Sequence, residues 1–274
     1  MSFPIAIQVY SVRDVAEKDL KGVLTELKAM GYDGVEFAGL YGHTPEEVRD
    51  MCKEIGLVPV SAHVAYEEIM QDIEGAMNAY KTIGCEYIAI PYLAEGQRGG
   101  DPVWPEIKEN IKKIGAAANA AGLTLLYHNH DFEFIKYDGK YMLEDLYDSV
   151  DESLLKTELD VCWVKVGGED PADYVRKYTG RAPVVHLKDY TGSREAATYE
   201  LIGMEGDQRE AKKDVEPFCL RPVGYGCQDF PAIIEAAKDA GAKWLIVEQD
   251  RPDEGRPTME CAKLSREYLK SIGQ

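Results

Sequence analysis

The sequence predicts an α/β fold, specifically a (β/α)8 TIM barrel. Three observations carry this. Short apolar runs alternate with stretches of helical apolar spacing, eight times along the 274 residues. The runs end near positions 9, 37, 63, 91, 128, 160, 186 and 248, and the early spacings are close to the ~30 residues of a strand–helix–strand unit. Several of the runs end on His, Asp or Glu, and in a barrel the C-terminal strand ends are where chemistry sits.

Ile5 to Val9 is the first strand, with Gln8 and Tyr10 near its end. Leu20, Val23, Leu24, Leu27 and Met30 follow at helical spacing, and Gly31 stops that helix. Gly34 to Phe37 is the second strand. Thr44-Pro45-Glu46-Glu47 opens a helix with a capping side chain, a proline in the first turn and acids behind it; the helix runs to about Gly56. Leu57 to His63 is the third strand, followed by a helix from Tyr66 to Gly84. Tyr87 to Ile90 is the fourth, closed by Pro91. Asp101-Pro102 opens a helix that reaches Ala121, with Gly122 as its cap. Leu123 to His128 is the fifth strand, followed by a short helix from Tyr141 to Ser149. Thr157 to Asp160 is the sixth, and Asp170-Pro171 starts a helix to Tyr178. Pro183 to His186 is the seventh. Lys188 to Gln228 is polar and contains glycine, and reads as a loop insertion with a short hairpin. Phe230 to Ala240 is helical, Lys243 to Glu248 is the eighth strand, and Met259 to Ile272 is the closing helix.

No linker separates these units, so residues 1–274 read as one domain. Alternating strand–helix units imply a parallel sheet with right-handed crossovers, and eight of them imply closure. An open doubly wound sheet more often carries a glycine-rich phosphate turn after an early strand. Gly224-Tyr225-Gly226 comes late and lies in a loop.

Net charge is −18, from 31 basic and 49 acidic residues. Lys112-Lys113 and Lys212-Lys213 are too short to form a basic patch, so nucleic acid is excluded as an expected partner. The six cysteines include no C-x-x-C pair and read as free thiols of a reducing compartment. The N-terminal residues lack a basic region followed by a long apolar one, and no run approaches the roughly 18 apolar residues of a membrane span. The expected location is the cytoplasm.

Leu123 to Tyr127 delivers His128, His130, Asp131 and Glu133 in quick succession. Residues two apart on a strand share a face, so His128 and His130 point the same way. Asp160, His186 and Glu248 end the last three strands and are the best metal-ligand candidates. The fourth ligand is His128, Glu133 or Glu36. A hydrogen-bonded strand terminus would account for any one of these. Burying all of them unpaired would cost several kcal/mol, so together they favour a site. Mixed imidazole and carboxylate donors suit Mn²⁺, Mg²⁺, Co²⁺ or Zn²⁺, and the lack of cysteine disfavours a structural zinc. His130 is the candidate general base, or else orients a ligand. Glu248 and Lys188 are the other candidate catalytic groups; Lys188 either stabilises an oxyanion or pairs with Asp189. His63, Glu36, Gln8 and Trp163 are the candidate substrate contacts, Trp163 by offering an aromatic face to a sugar.

Gln8-Val9-Tyr10-Ser11-Val12-Arg13, Gly34-Val35-Glu36, Tyr127-His128-Asn129-His130-Asp131-Phe132-Glu133-Phe134, Leu159-Asp160, His186-Leu187-Lys188-Asp189 and Val247-Glu248 resemble the sugar phosphate isomerase/epimerase family. The resemblance spans essentially the whole chain. It implies a xylose-isomerase-like TIM barrel and a divalent metal, often Mn²⁺, held by Glu, Asp, His and Glu of strands five to eight. Asp160, His186 and Glu248 match the last three. His128 stands where ketose 3-epimerases present a glutamate, which weakens that reading. His-x-His on strand five is closer to inosose dehydratases and to enzymes that deglycosylate oxidised sugars, where a histidine can be the base, and His130 is the matching position. The apurinic-site endonuclease branch fits neither the acidic charge nor the number of histidines. The expectation is a metal-dependent isomerase or epimerase of a sugar, polyol or keto-sugar, as a monomer or a homo-oligomer, acting by proton abstraction next to a carbonyl. The alternatives are a lyase, dehydratase or deglycosidase on an inosose or keto-sugar, and a non-catalytic sugar-binding barrel.

Overall fold

The computed structural model describes residues 2–198, 201, 202, 210, 212–253 and 255–274. Eight parallel strands close into a barrel: β1 Ile5–Gln8, β2 Gly34–Ala38, β3 Val58–His63, β4 Tyr87–Ile90, β5 Thr124–His128, β6 Lys156–Asp160, β7 Val184–Leu187 and β8 Trp244–Val247. Each strand pairs with the next in sequence, and β8 returns to β1 through Ile5↔Leu245, Ala6↔Ile246 and Ile7↔Val247. Eight longer helices follow them: α1 Leu20–Met30, α2 Pro45–Ile55, α3 Ile73–Ile83, α4 Trp104–Ala121, α5 Met142–Ser149, α6 Pro171–Lys177, α7 Phe230–Ala240 and α8 Thr258–Ser271.

Side-chain alternation divides each strand between two environments. Ile5, Ile7, Val35, Phe37, Leu125, Val185 and Leu245 belong to the large apolar cluster shared with the helices. Ala6, Ala89, Leu126, Val184 and Ile246 belong to a separate buried cluster that plugs the barrel. Two residues further along the same strand faces come Gln8, His128, His186 and Glu248, all buried. Two further again come His130, Lys188 and Asp250. The interior is therefore apolar at its base and ionisable at its C-terminal end.

Two helices differ from expectation. The run Tyr66–Gly84 is broken into Tyr66–Gln71 and α3, because Asp72 leaves the helical region and accepts the Gly75 N–H at 2.9 Å. A short polar side chain that bonds nearby backbone is a better cap than a helix-interior residue. Helix α4 begins at Trp104, with Pro105 rather than Pro102 in its first turn. The sequence reading also passed over a helix at Val161–Val166, directly after β6. The Asp160 side chain caps it, accepting the N–H groups of Cys162 and Trp163 at 2.8 and 3.1 Å.

The 188–228 insertion does contain a hairpin, Asp189–Thr191 paired antiparallel with Cys219–Arg221. Residues 199, 200, 203–209 and 211 of the expected loop lie outside the described residues. The six cysteines are free thiols. No helix among the described residues is long and apolar enough to cross a membrane.

Candidate metal centre and active site

The ends of β5, β6 and β7 and the residue after β8 bring His128, Asp160, His186 and Glu248 together, with one ligand atom from each within 4.8 Å of the others. His128 Nε2 is 3.5 Å from Asp160 Oδ2 and 3.6 Å from Glu248 Oε2. His186 Nδ1 is 3.1 Å from Glu248 Oε2. The backs of these residues are fixed. His128 Nδ1 lies 3.1 Å from the Pro91 carbonyl, which can only accept, so the ring proton sits there and the Nε2 lone pair faces inward. Asp160 spends Oδ1 on its helix cap. Its Oδ2 and the His128 Nε2 are buried without a hydrogen-bond partner. Converging acceptors of this kind are the donor set of a divalent cation. Without one, a proton takes its place: burial lowers the His128 pKa, but Asp160 and Glu248 outweigh it and raise it to about 9.

One layer below, His63 Nε2 is 2.7 Å from Glu158 Oε2 and 3.3 Å from Glu36 Oε2. His186 Nε2 is 2.9 Å from Glu36 Oε2 and 3.5 Å from Glu158 Oε1. Gln8 donates its amide to Glu36 Oε2 at 2.8 Å and accepts the Tyr10 N–H with its oxygen. Burial and the Glu158 charge push Glu36 up. Burial also opposes ionisation of Glu158, but His186 and His63 outweigh it and hold Glu158 well below the carboxylate range.

Lys188 is only 1% exposed and faces three carboxylates: Asp160 at 3.3 Å, Glu248 at 3.0 Å and Asp250 at 3.0 Å. Burial disfavours its charge, yet these neighbours hold its pKa well above the lysine range. His130 stacks on Phe132 at 5.2 Å and on Trp163 at 5.5 Å, with its ring 5.1 Å from that of His128. Burial, then the charges of His128 and Lys188, push His130 well below the usual histidine value. That shift favours the neutral imidazole. His63, Tyr92, His128, His130, Lys188, Glu248 and Asp250 line a cavity of about 10 Å³, room for about one water. Ile202 of the long insertion closes it, its carbonyl accepting the Tyr92 hydroxyl at 2.7 Å.

The sequence profile of the xylose isomerase-like TIM barrel family matches residues 24–272. The chain belongs to that family. It is similar to the inosose dehydratase of Clostridium perfringens (strain 13), 24% identical over 93% of this chain and 90% of the relative. Among solved structures it is similar to a sugar phosphate isomerase/epimerase from Parabacteroides distasonis, with a TM-score of 0.77 at 22% identity, covering 100% of this chain and 96% of the other. It is also similar to the IolI protein with a bound zinc atom, with a TM-score of 0.69 at 16% identity, covering 98% and 97%.

Within this xylose isomerase-like barrel the expected site residues fall in different places. Asp160, His186, Glu248 and His128 converge. Glu133 does not join them: its oxygens accept the Tyr127 hydroxyl at 2.8 Å and the His130 N–H at 2.8 Å, so it braces the turn after β5. Gln8 and Glu36, expected at the substrate, sit below the cavity and bond each other. Trp163 is fully buried against His130 and Phe218 rather than open to a ligand. Lys188 pairs with Asp250, not with its neighbour Asp189, which instead accepts the N–H groups of Gly224, Gly226 and Gln228. That anchors the insertion, and Gly226 is required there because a Cβ would stand 2.2 Å from Asp189 Oδ1. Glu158 and Asp250 were missed. Each lies two residues from a recognised ligand on the same strand face.

Proposed function

We propose that this chain is a divalent-metal-dependent enzyme that removes the proton beside the carbonyl of an inosose or keto-sugar and then expels the neighbouring hydroxyl as water. One observation carries the reading: the His130 ring stands 5.1 Å from that of His128, beside the cage but outside its ligand set, while β5 supplies His128 where an epimerase would use a carboxylate. His128, Asp160, His186 and Glu248 would hold the metal. When bound, the cation supplies Lewis acidity toward a carbonyl and an adjacent hydroxyl oxygen. The donor set accommodates zinc or cobalt as readily as manganese.

The chain's own groups do the rest. His130 takes the proton, and the C–H electrons pass into the developing enolate. Lys188, held as an ammonium, sets a fixed positive charge near that oxygen. As the carbonyl re-forms, the β-hydroxyl departs and takes the proton back from His130, so one base serves both halves and water is the only other product. Tyr92, Trp163 and the insertion keep bulk water out. The similarity to inosose dehydratases over 93% of the chain supports elimination.

Isomerisation and epimerisation share the first step, and epimerisation needs a second proton donor on the opposite face. Glu248 is a poor one: burial opposes its ionisation, but Lys188, His128 and His186 overcome this and hold it ionised. Incubating the metal-loaded protein with an inosose in D2O tests the reading. Loss of one water per turnover is expected. Deuterium incorporation into unchanged or epimerised substrate, with no unsaturated product, would replace elimination by epimerisation.

A further inference from the structure

His130 needs an orientation that its own bonds do not supply. The χ2 torsion of histidine is broad and roughly two-fold, so packing decides how the ring stands. We infer that Phe132 and Trp163 are positioning residues that hold the plane of the His130 imidazole beside the cage. This rests on the reading of His130 as the base. The Phe132 ring lies 5.2 Å from that of His130 and 4° from parallel, and Trp163 lies 5.5 Å away at 30°. The rings of His128 and Tyr92 meet it edge-on, at 5.1 and 6.2 Å. Its backbone is held too, the N–H donating to Glu133 at 2.8 Å. Neither Phe132 nor Trp163 lines the cavity, so both act through His130.

Each of the two is itself supported. The Arg98 guanidinium carbon stands 3.5 Å from the Phe132 ring centre, a planar cation on an aromatic face. Arg98 is fixed by donating Nε to the Leu93 carbonyl at 2.8 Å and its backbone N–H to Asp101 at 2.9 Å. Trp163 packs near-parallel to Phe218 of the insertion at 5.9 Å, and Phe218 to Tyr190 at 4.8 Å. The stack thus runs from the loop after β4, through His130, to the hairpin of the insertion. Phe132 and Trp163 belong to a buried cluster separate from the barrel plug and from the apolar layer under the helices. Filling space there would take any apolar side chain of similar volume. Fixing the plane of an imidazole takes flat partners, which favour offset-parallel contact.

Phe132→Leu keeps an apolar side chain and removes the plane, and Phe132→Tyr restores the plane. ¹³C relaxation of histidine-labelled, metal-free protein reads the order of the His130 ring without any substrate, with His130→Ala assigning its signals. The ring should be rigid in wild type and Phe132→Tyr and mobile on the ps–ns scale in Phe132→Leu. A misplacement of about 1 Å costs about 100-fold in rate. In metal-loaded Phe132→Leu, kcat on an inosose should fall by up to that factor, with KM and metal affinity unchanged, and recover in Phe132→Tyr. Ring order in Phe132→Leu equal to wild type, or an undiminished kcat, overturns the inference. So does a fall in metal affinity, which would make the stack a support of the cage. A wild type that turns over no inosose, with ring order lost only in Phe132→Leu, supports the positioning role and removes the reading of the reaction. Should Phe132→Leu fail to fold, Trp163→Leu against Trp163→Phe makes the same comparison.

Discussion

Asp160 Oδ2 and His128 Nε2 face each other at 3.5 Å inside the barrel, and neither has a hydrogen-bond partner. Each residue is held from behind by backbone, Asp160 through the cap of Val161–Val166 and His128 through the Pro91 carbonyl. Neither is free to turn away from the other. Two rigidly opposed acceptors repel unless something positive lies between them.

Asp160→Asn and His128→Ala should therefore weaken metal at the cage. Removing an outer-shell partner costs about 10–100-fold in affinity, so removing a direct ligand should exceed that. Glu133→Gln should bind metal as the wild type does, because its oxygens already serve Tyr127 and His130. Chelator-competition titrations compare the three. Unchanged affinity in Asp160→Asn would dismantle the cage, and a large loss in Glu133→Gln would transfer the fourth ligand to the loop.

Lys188→Met tests the charge balance. The ammonium offsets Asp160, Glu248 and Asp250. Removing one partner of a buried ion pair typically costs about 3–5 kcal/mol. Metal-free Lys188→Met should lose stability of that order in urea unfolding. Added Mn²⁺ should restore more stability to it than to wild type, since the cation no longer meets a nearby positive charge. Equal metal-induced gains in the two proteins would show that Lys188 and the cation do not share those carboxylates.

Glu133 gives a pH dependence. Burial raises its pKa from the ordinary 4.5 to about 7. Between these values the folded state binds more protons than the unfolded one, so stability falls as pH rises through the window and levels off above it. The shift corresponds to about 3 kcal/mol. Metal-free wild type should lose about that much more than Glu133→Gln between pH 5 and pH 8 in urea unfolding. Parallel losses in the two proteins would show that Glu133 keeps an ordinary pKa in the folded state.

The barrel was legible because both of its periodicities are written in the chain. Period two marks the strands, and helical spacing with terminal glycine marks α1, α2 and α4. Asp160, His186 and Glu248 were legible because an ionisable residue closing an apolar run has no packing reason to be there. Glu158 was not, because a polar residue inside a strand looks the same whether it faces solvent or the inside of a closed barrel. Closure decides which, and closure is a property of all eight strands. The pairing of Lys188 with Asp189, the alternative to an oxyanion role for Lys188, fails for a similar reason. Asp189 is its neighbour in sequence, but strand alternation turns the two side chains apart, and Asp250, two residues beyond Glu248 on the inner face, meets Lys188 instead.

His130 bears the weight of the proposed reaction, and its variant separates three roles. Its ring stands next to His128 but outside the convergent ligand set. His130→Ala should therefore keep its metal. It removes a ring stacked on Phe132 and Trp163, so some stability is lost, and circular dichroism must show that the barrel is intact. General acid–base catalysis contributes roughly 10² to 10⁴-fold, and turnover of an inosose, with exchange of its α-proton, should fall by that much. If metal affinity falls instead, His130 is a ligand. If both effects are small, it only braces His128. Full metal occupancy with undiminished exchange of the α-proton would exclude His130 as the base and leave the elimination without its proton acceptor.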